Sequence, residues 1–398
     1  MQPTRVLYSF PHRIGAGRIC TTAWHQVVTA SEAGAAVEVH TASVHRPLPS
    51  PVAARETLAR GRLRLPYRLV GDLRMYRLHD QLVARRLRKA ADRFDVVHTW
   101  PAGALETLRA ALDLGIPTML ERPNTHTRFA YEVVARECRR LGIELPARYE
   151  HAFNAELLAR EEQEYRLADF ILCPSDFVRE TFLEEGFPQE RLLRHIYGYD
   201  PQTFYPAAGR PADSRFGMLF VGDGSVRKGL HFALEAWLES PAHKFGAFQI
   251  AGDMLPAYKS LLEPMLEHPS VTLLGHSSRV PELMRQADVL VLPSIEEGSA
   301  LVCAEALASG AVPLVSNVAS SHCRHMENAL VHQVGDVRVL SEHITRLFED
   351  RALLQRLRDE ALASAHEATW GRAGQVLAGI YRDVHERAAR GDQPMAAV

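Results

Sequence analysis

The chain has no run of about 18 consecutive apolar residues, which excludes an expected membrane-spanning helix. It also lacks a basic start followed by a long apolar stretch. Met1-Gln2-Pro3-Thr4-Arg5 leads directly into a short apolar segment, so a secretory leader is not indicated and a cytoplasmic protein is expected. Cysteines are few. The five (Cys20, Cys138, Cys173, Cys303, Cys323) are scattered, with no Cys-x-x-Cys pair and no His/Cys spacing typical of zinc, and read as free thiols in a reducing compartment. Neither sign of charge dominates, and a net charge of −2 argues against wholesale nucleic-acid binding. There is no repeat of solenoid period and no low-complexity tract.

What remains is an ordinary globular composition, 46% hydrophobic and 24% charged, in a chain of 398 residues. That length exceeds one compact core and suggests two domains. Short apolar runs alternate with longer amphipathic segments. In the first half the strands are expected at Arg5–Ser9, Val37–Thr41, Asp95–Thr99, Thr118–Glu121 and Phe170–Cys173. In the second they are expected at Met218–Gly222, Phe248–Gly252, Val271–Gly275, Val289–Pro293 and Val312–Ser316. Strands buried on both faces and separated by helices imply parallel sheets, so each half reads as a doubly wound α/β unit. Asp200-Pro201, Tyr205-Pro206 and Gly209-Arg210-Pro211 break the periodicity near 197–215 and mark a linker. The expected division is 1–200, then 201–375, with 376–398 as a final helix and tail.

The richest segment runs from Ala287 to Asn317. A strand ends at Pro293-Ser294, the loop Ile295–Ser299 follows, and a helix spans about Ala300–Ser309 before Gly310, a natural left-handed stop. The helix is apolar almost all round, and so should be buried, with Glu305 its one charged group. Such a carboxylate needs strong donors, either ligand hydroxyls or a buried arginine; residue type does not decide between them. Glu297 precedes the same helix. Gly298 permits close backbone approach, and the N–H groups of Ser299, Ala300 and Leu301 would form an anion site at the helix start. Two carboxylates bracketing a phosphate-accepting helix terminus suit a sugar nucleotide.

Glu297-Gly298, the apolar helix, Glu305 and Ala308-Ser309-Gly310 resemble the E-x7-E signature of the family-4 retaining glycosyltransferases. Phe220-Val221-Gly222 through Arg227-Lys228-Gly229 is similar to that family's phosphate loop. Ala168-Asp169 with Cys173-Pro174-Ser175 is similar to its last N-domain strand, and Tyr197-Gly198-Tyr199-Asp200 to its linker. The resemblance implies the GT-B fold, two Rossmann-like domains facing across a cleft. It also implies a retaining, metal-independent transfer from a nucleotide sugar, UDP- or GDP-linked, to an acceptor hydroxyl. Glu297 would contact the donor sugar, Glu305 the ribose, Gly222 would line the phosphate loop, and Lys228 would neutralise the departing diphosphate. The absence of an Asp-x-Asp motif agrees with a metal-free site. The pattern departs at Asp223, where many relatives have arginine. Arg227 would then supply the second positive charge, unless it points to solvent. Rival readings are an epimerase or phosphorylase of the same fold, or an inactive nucleotide-sugar-binding partner protein.

In the first half, Phe10–Arg18 reads as a loop in which Gly15 and Gly17 permit phosphate approach. Cys20 leaves the Gly-x-Gly-x-x-Gly pattern incomplete, and strand two ends His40-Thr41 without an acidic residue, so no dinucleotide cofactor is expected. The resemblance places Gly15 and Gly17 near the donor phosphate. It also makes His126, in Glu121–Thr127, a residue that reaches the donor sugar; the plainer alternative is an ordinary loop histidine. His98 ends a strand, as in a common family pattern, or is merely hydrogen-bonded there. Arg55–Arg93 carries twelve Lys/Arg against four Asp/Glu. This reads as a solvated helical face or as a surface for an anionic membrane or phosphate-bearing acceptor. The C-terminal pattern, Thr369-Trp370 followed by Tyr381, is similar to the family ending in which the last helix crosses back to the first domain.

Overall fold

The computed structural model describes residues 2–60, 63–64, 71–209 and 215–392. Arg62 and Arg68 of the basic stretch, and Arg210 and Pro211 of the linker, lie outside the described residues. The chain forms two units. The first comprises Met1–Thr127, Asn154–Tyr197 and Trp370–Val398, and the second Arg128–Phe153 and Gly198–Thr369. This differs from a single boundary near residue 200 in two places, since 128–153 belongs to the second unit and the first regains the chain at Trp370 rather than 376.

The strands of the first unit are β1 (Arg5–Ile14), β2 (Ala36–Val44), β3 (Ala53–Glu56), β4 (Ala59–Arg60), β5 (Leu63–Arg64), β6 (Val96–Thr99), β7 (Thr118–Glu121), β8 (Phe170–Cys173) and β9 (Leu192–Arg194). Seven of them form one parallel sheet in the order β3-β2-β1-β6-β7-β8-β9. Val6, Leu7 and Tyr8, Val96 and Val97, and all of Phe170–Cys173 are fully buried, as expected of strands covered on both faces. The covering helices are α1 (Ile19–Glu32), α2 (Asp72–Lys89), α3 (Leu105–Leu114), α5 (Ala155–Leu167), α6 (Asp176–Glu184) and α13 (Trp370–Arg390). Sequence order reverses between β1 and β6, the switch point at which open α/β sheets place ligands.

Phe10–Ile14 is strand rather than loop. β1 continues past Pro11, and its pairing with β2 slips by one residue between Phe10 and Arg13. Proline has no N–H to give the ladder, so a bulge there loses little. The edge strand β3, Ala-Ala-Arg-Glu, is mostly exposed and has no apolar run to announce it.

α13 buries Trp370, Ala373, Leu377, Tyr381 and Val384 at helical spacing. It approaches α1 closely at Gly374, where an added Cβ would lie 2.4 Å from the Thr29 carbonyl carbon and oxygen.

The second unit has the strands β10 (Gly217–Val221), β11 (Ala247–Ala251), β12 (Val271–Gly275), β13 (Val289–Leu292), β14 (Val312–Ser316) and β15 (Leu330–His332), parallel in the order β12-β11-β10-β13-β14-β15. Its helices are α4 (Thr127–Leu141), α7 (Leu230–Glu239), α8 (Pro256–Leu266), α9 (Val280–Gln286), α10 (Leu301–Ser309), α11 (Val337–Glu349) and α12 (Arg351–Ser364). Each strand expected from sequence is present in one sheet or the other. α4 is held in the second unit by Val133, Val134 and Cys138, which join the core of β10, β11 and β13. The Glu137 carboxylate lies 2.9 Å from His231 Nε2 on α7, fixing the same helix by a polar contact.

Candidate active site

Two strand ends of the second unit build the site. After β10 the chain turns through Gly222 into a short 3-10 turn, Val226–Lys228, and then Gly229. Gly229 adopts φ +67°, and a Cβ there would stand 2.0 Å from the Pro293 carbonyl oxygen, so only glycine lets this turn sit against the end of β13. The Ile295 N–H donates to the Arg227 carbonyl at 2.9 Å, joining the turn to the loop before α10.

Four charged side chains converge on this joint. Arg227 Nη1 donates to the Glu296 carbonyl at 3.0 Å, to Glu296 Oε2 at 3.2 Å and to Glu297 Oε2 at 3.2 Å. Lys228 Nζ donates to Glu297 Oε2 at 3.0 Å and also contacts Oε1. Both carboxylates are buried, Glu296 completely. Burial pushes the Glu297 carboxyl up, but Lys228 and Arg227 outweigh it and hold it below the usual glutamate range. Burial lowers the Arg227 guanidinium, and Glu297 and Glu296 more than reverse that. Arg227 therefore does not point to solvent; its side chain is 15% exposed. Asp223, by contrast, is exposed.

α10 starts at Leu301, after Ala300, with no side chain capping its N-terminus. Ser299 Oγ lies 3.1 Å from Ser321 Oγ instead. Free N–H groups at a helix start favour an anion. Gly298 is buried in the loop before it. Glu305 is half-buried, and among the described residues it has no hydrogen bond or ion pair. Burial raises its carboxyl to about 7. Of the two partners that sequence left open, no arginine has come.

A third piece of chain was not anticipated. The 128–153 segment brings His151 Nε2 to 3.5 Å from Glu296 Oε2, with the Tyr149 ring 6.3 Å from the His151 ring. Glu296, Tyr149 and His151 lie in irregular loops with no periodicity, and nothing along the chain pairs position 151 with position 296.

In the first unit, Gly15 (φ +79°) and Gly17 (φ +95°) form the turn between β1 and α1 in backbone that glycine favours. Both candidate histidines of this unit are buried. The His126 ring is 2% exposed and packs 5.0 Å from both Tyr165 and Phe182, with Phe187 at 6.2 Å. Its backbone N–H donates to Thr181 Oγ1 at 3.0 Å. This is a packed aromatic cluster, the plainer placement weighed above for a loop histidine. His98 is fully buried, with Nδ1 2.7 Å from the Tyr381 hydroxyl and Nε2 3.2 Å from Glu121 Oε2. Glu121 also accepts from Tyr197 at 2.6 Å and from Gln26 at 3.0 Å, and lies 2.9 Å from His195. Burial pushes the Glu121 carboxyl up, but His195 and His98 hold it well below the usual range. His98 thus helps to hold α13 on the sheet.

Residues 21–197 match the family model described as Glycosyltransferase Family 4, and residues 215–350 match Glycosyl transferases group 1. The chain belongs to the family-4 glycosyltransferases. An exopolysaccharide phosphotransferase of Streptomyces coelicolor is 30% identical over 200 residues, 48% of this chain and 21% of that one. A UDP-Gal:alpha-D-GlcNAc-diphosphoundecaprenol alpha-1,3-galactosyltransferase of Escherichia coli is 23% identical over 282 residues, 66% of this chain and 68% of that one. The chain thus spans about a fifth of the length of the first relative. Among solved structures, a sucrose-phosphate synthase from Thermosynechococcus elongatus superposes with a TM-score of 0.72 at 18% identity, covering 96% of this chain and 99% of its own. That likeness supports the fold, the GT-B arrangement of two parallel-sheet α/β domains. Within this family-4 frame, Lys228, Arg227 and Glu297 form one connected cluster in the second unit.

Proposed function

We propose that the chain transfers a sugar from a nucleoside-diphosphate sugar to an acceptor hydroxyl, with retention of configuration and without a metal. The observation that carries the reading is the buried cluster of Arg227, Lys228 and Glu297 beside the uncapped start of α10. A diphosphate placed there meets two cations and a helix N-terminus, which can stabilise the charge that develops as it leaves. Glu297 then exchanges its cations for sugar hydroxyls, and Glu305, lacking a protein partner, accepts from the ribose. The nucleophile is the acceptor oxygen, attacking on the face from which the diphosphate departs, with a phosphate oxygen taking its proton. No side-chain nucleophile is required, consistent with a cluster of carboxylates and cations. A uridine donor is favoured by the Escherichia coli relative, whose name specifies UDP-Gal.

The test is a transfer assay over UDP- and GDP-sugars with an acceptor panel, including lipid-linked sugars. Glu297→Gln and Lys228→Ala are each expected to lower transfer by a factor on the order of 10² or more, with unchanged circular dichroism. Near-normal turnover in both variants would remove this site from the reaction. Product analysis by NMR with donor alone distinguishes transfer from epimerisation.

A further inference from the structure

The second unit holds a cavity of about 330 Å³ that the reaction drawn above does not use. Asp288, just before β13, and Gly310, between α10 and β14, both line it, so it lies at the edge of the sheet where these strands begin. The cluster of Arg227, Lys228 and Glu297 follows the opposite ends of β10 and β13. The four residues of β13, about 13 Å of strand, separate the two places. We propose that this cavity is a second ligand site, one that takes the phosphate group of a small phosphate ester. The proposal does not rest on the donor-site reading.

Three arginines give the wall its charge. Arg285 comes from α9, while Arg351 and Arg358 stand two turns apart on one face of α12. Asp288 is the one carboxylate among the described lining residues, and it is already engaged. It accepts from the Gly217 N–H at 2.9 Å and from Arg358 Nη2 at 2.9 Å. Arg358 also gives Nε to the Gly310 carbonyl at 2.8 Å, which offsets the negative end of α10 that would otherwise repel an anion. Arg351 makes no hydrogen bond among the described residues. Its guanidinium lies 3.8 Å from Asp288 Oδ2 and 5.3 Å from the centre of the Phe216 ring. Arg285 is held over the Tyr205 ring at 4.5 Å. Glu282, 3.5 Å from Arg285, is 46% exposed, so water screens it. The wall is therefore positive.

A separate observation points to a ligand rather than to bare charge. Ser309, the last residue of α10, lines the cavity and is 3% exposed. Its hydroxyl is buried with no hydrogen-bond partner among the described residues. A buried donor left unmade is costly, and a phosphate oxygen accepts from a hydroxyl and a guanidinium together. Planar guanidinium groups match phosphate through paired N–H···O bonds, which selects this anion over a carboxylate-poor neutral ligand. The volume falls at the small end of the range for ligand sites. It exceeds what a bare phosphate needs, since a water molecule takes about 30 Å³. Leu354, Leu362 and Pro206 add apolar wall, against which the carbon body of an ester can rest.

The test is calorimetric titration of the whole protein with glucose 6-phosphate, with inorganic phosphate, and with glucose as the uncharged control. Wild type is compared with Arg351→Gln, Ser309→Ala and Lys228→Ala. Wild type is expected to bind glucose 6-phosphate with a Kd of about 1 mM or lower, and glucose not at all. Arg351 is 48% exposed, so Arg351→Gln should fold normally. It should weaken the binding about tenfold or more, as the loss of one charged hydrogen bond does. Ser309→Ala should weaken it less, by about threefold. Lys228→Ala should leave it unchanged, and Arg351→Gln should leave UDP binding unchanged, because cavity and cluster are separate. Tighter binding of the ester than of inorganic phosphate makes the ester the occupant; equal binding keeps the site and makes the free ion its occupant. No binding of either phosphate at about 10 mM overturns the proposal. So does binding that is indifferent to Arg351→Gln, or glucose binding as tightly as its phosphate. Binding lost in Lys228→Ala but kept in Arg351→Gln would place the phosphate in the donor cluster, overturning this proposal while leaving the donor-site reading standing.

Discussion

Glu305 is a carboxyl kept in a poor environment by a helix that offers it nothing. Burial raises it from the ordinary glutamate value of about 4.5 to about 7. At about 1.4 kcal/mol per unit that is a cost of about 3 kcal/mol, reduced to about 2 kcal/mol by partial exposure. Because the folded chain holds this proton more tightly than the unfolded chain, the cost is absent below about pH 4.5 and complete above about pH 7. Glu305→Gln should therefore be about 2 kcal/mol more stable than wild type at pH 8, in urea unfolding, with the gap closing towards pH 5. A gap independent of pH would mean that the carboxyl is not strained in this way. The same variant should bind donor less well, a local exchange of stability for function. Glu297 and Glu305 drew attention in sequence as carboxylates bracketing a helix start, and Lys228 and Arg227 through the family resemblance; the structure brings Glu297, Lys228 and Arg227 into contact. His151 and Glu296 were not, because their pairing exists only after the segment 128–153 has folded onto the second unit. The aromatic packing around His126 was illegible for a different reason. A strand-end histidine looks alike in sequence whether its ring faces a ligand or Tyr165, Phe182 and Phe187.

Among elements, the parallel strands were the most legible, since burial on both faces leaves continuous apolar runs such as Val289–Leu292. The short edge strands β3, β9 and β15 were not, because an edge strand has a single neighbour and little need of apolar residues. The continuation of β1 past Pro11 was missed because Phe10–Arg18 was read as a single glycine-bearing loop. The contact of α13 with α1 depends on a different residue type. At Gly374 any side chain enters the Thr29 carbonyl. Gly374→Ala gains up to about 1 kcal/mol in helix propensity but is expected to lose more by overpacking, for a net cost of about 1–2 kcal/mol. The urea midpoint should fall accordingly; an unchanged midpoint would place the α13 contact elsewhere than Gly374. The polar side of the same docking, His98 between Tyr381 and Glu121, is the reason a buried histidine sits at the end of β6.

For the whole molecule, no helix among the described residues is long and apolar enough to cross a membrane. The outward face of α2 carries Arg74, Arg77, Arg85, Arg88 and Lys89, all exposed, with Arg77 paired to Glu156 and Arg88 to Asp113. If this face meets anionic lipid, the protein should sediment with vesicles containing phosphatidylglycerol at low salt. It should be released at about 0.5 M salt, where charges beyond a few ångströms are screened. Arg74→Ser, Arg85→Ser and Lys89→Ser together should weaken sedimentation without altering donor binding. Equal recovery with neutral and anionic vesicles would leave α2 as a solvated face.

The first unit draws on three separate stretches of chain and the second on two. During synthesis the strands β1 to β9 emerge early, but the helix that covers Val6, Tyr8 and α1 is made only after the whole second unit. Until then the groove destined for Leu377, Tyr381 and Val384 stands open while the entire second unit is still being translated. The growing chain thus keeps an adhesive groove for as long as the second unit takes to be made. A fragment ending near residue 200, which a linker there invites one to express, would stay permanently in that condition.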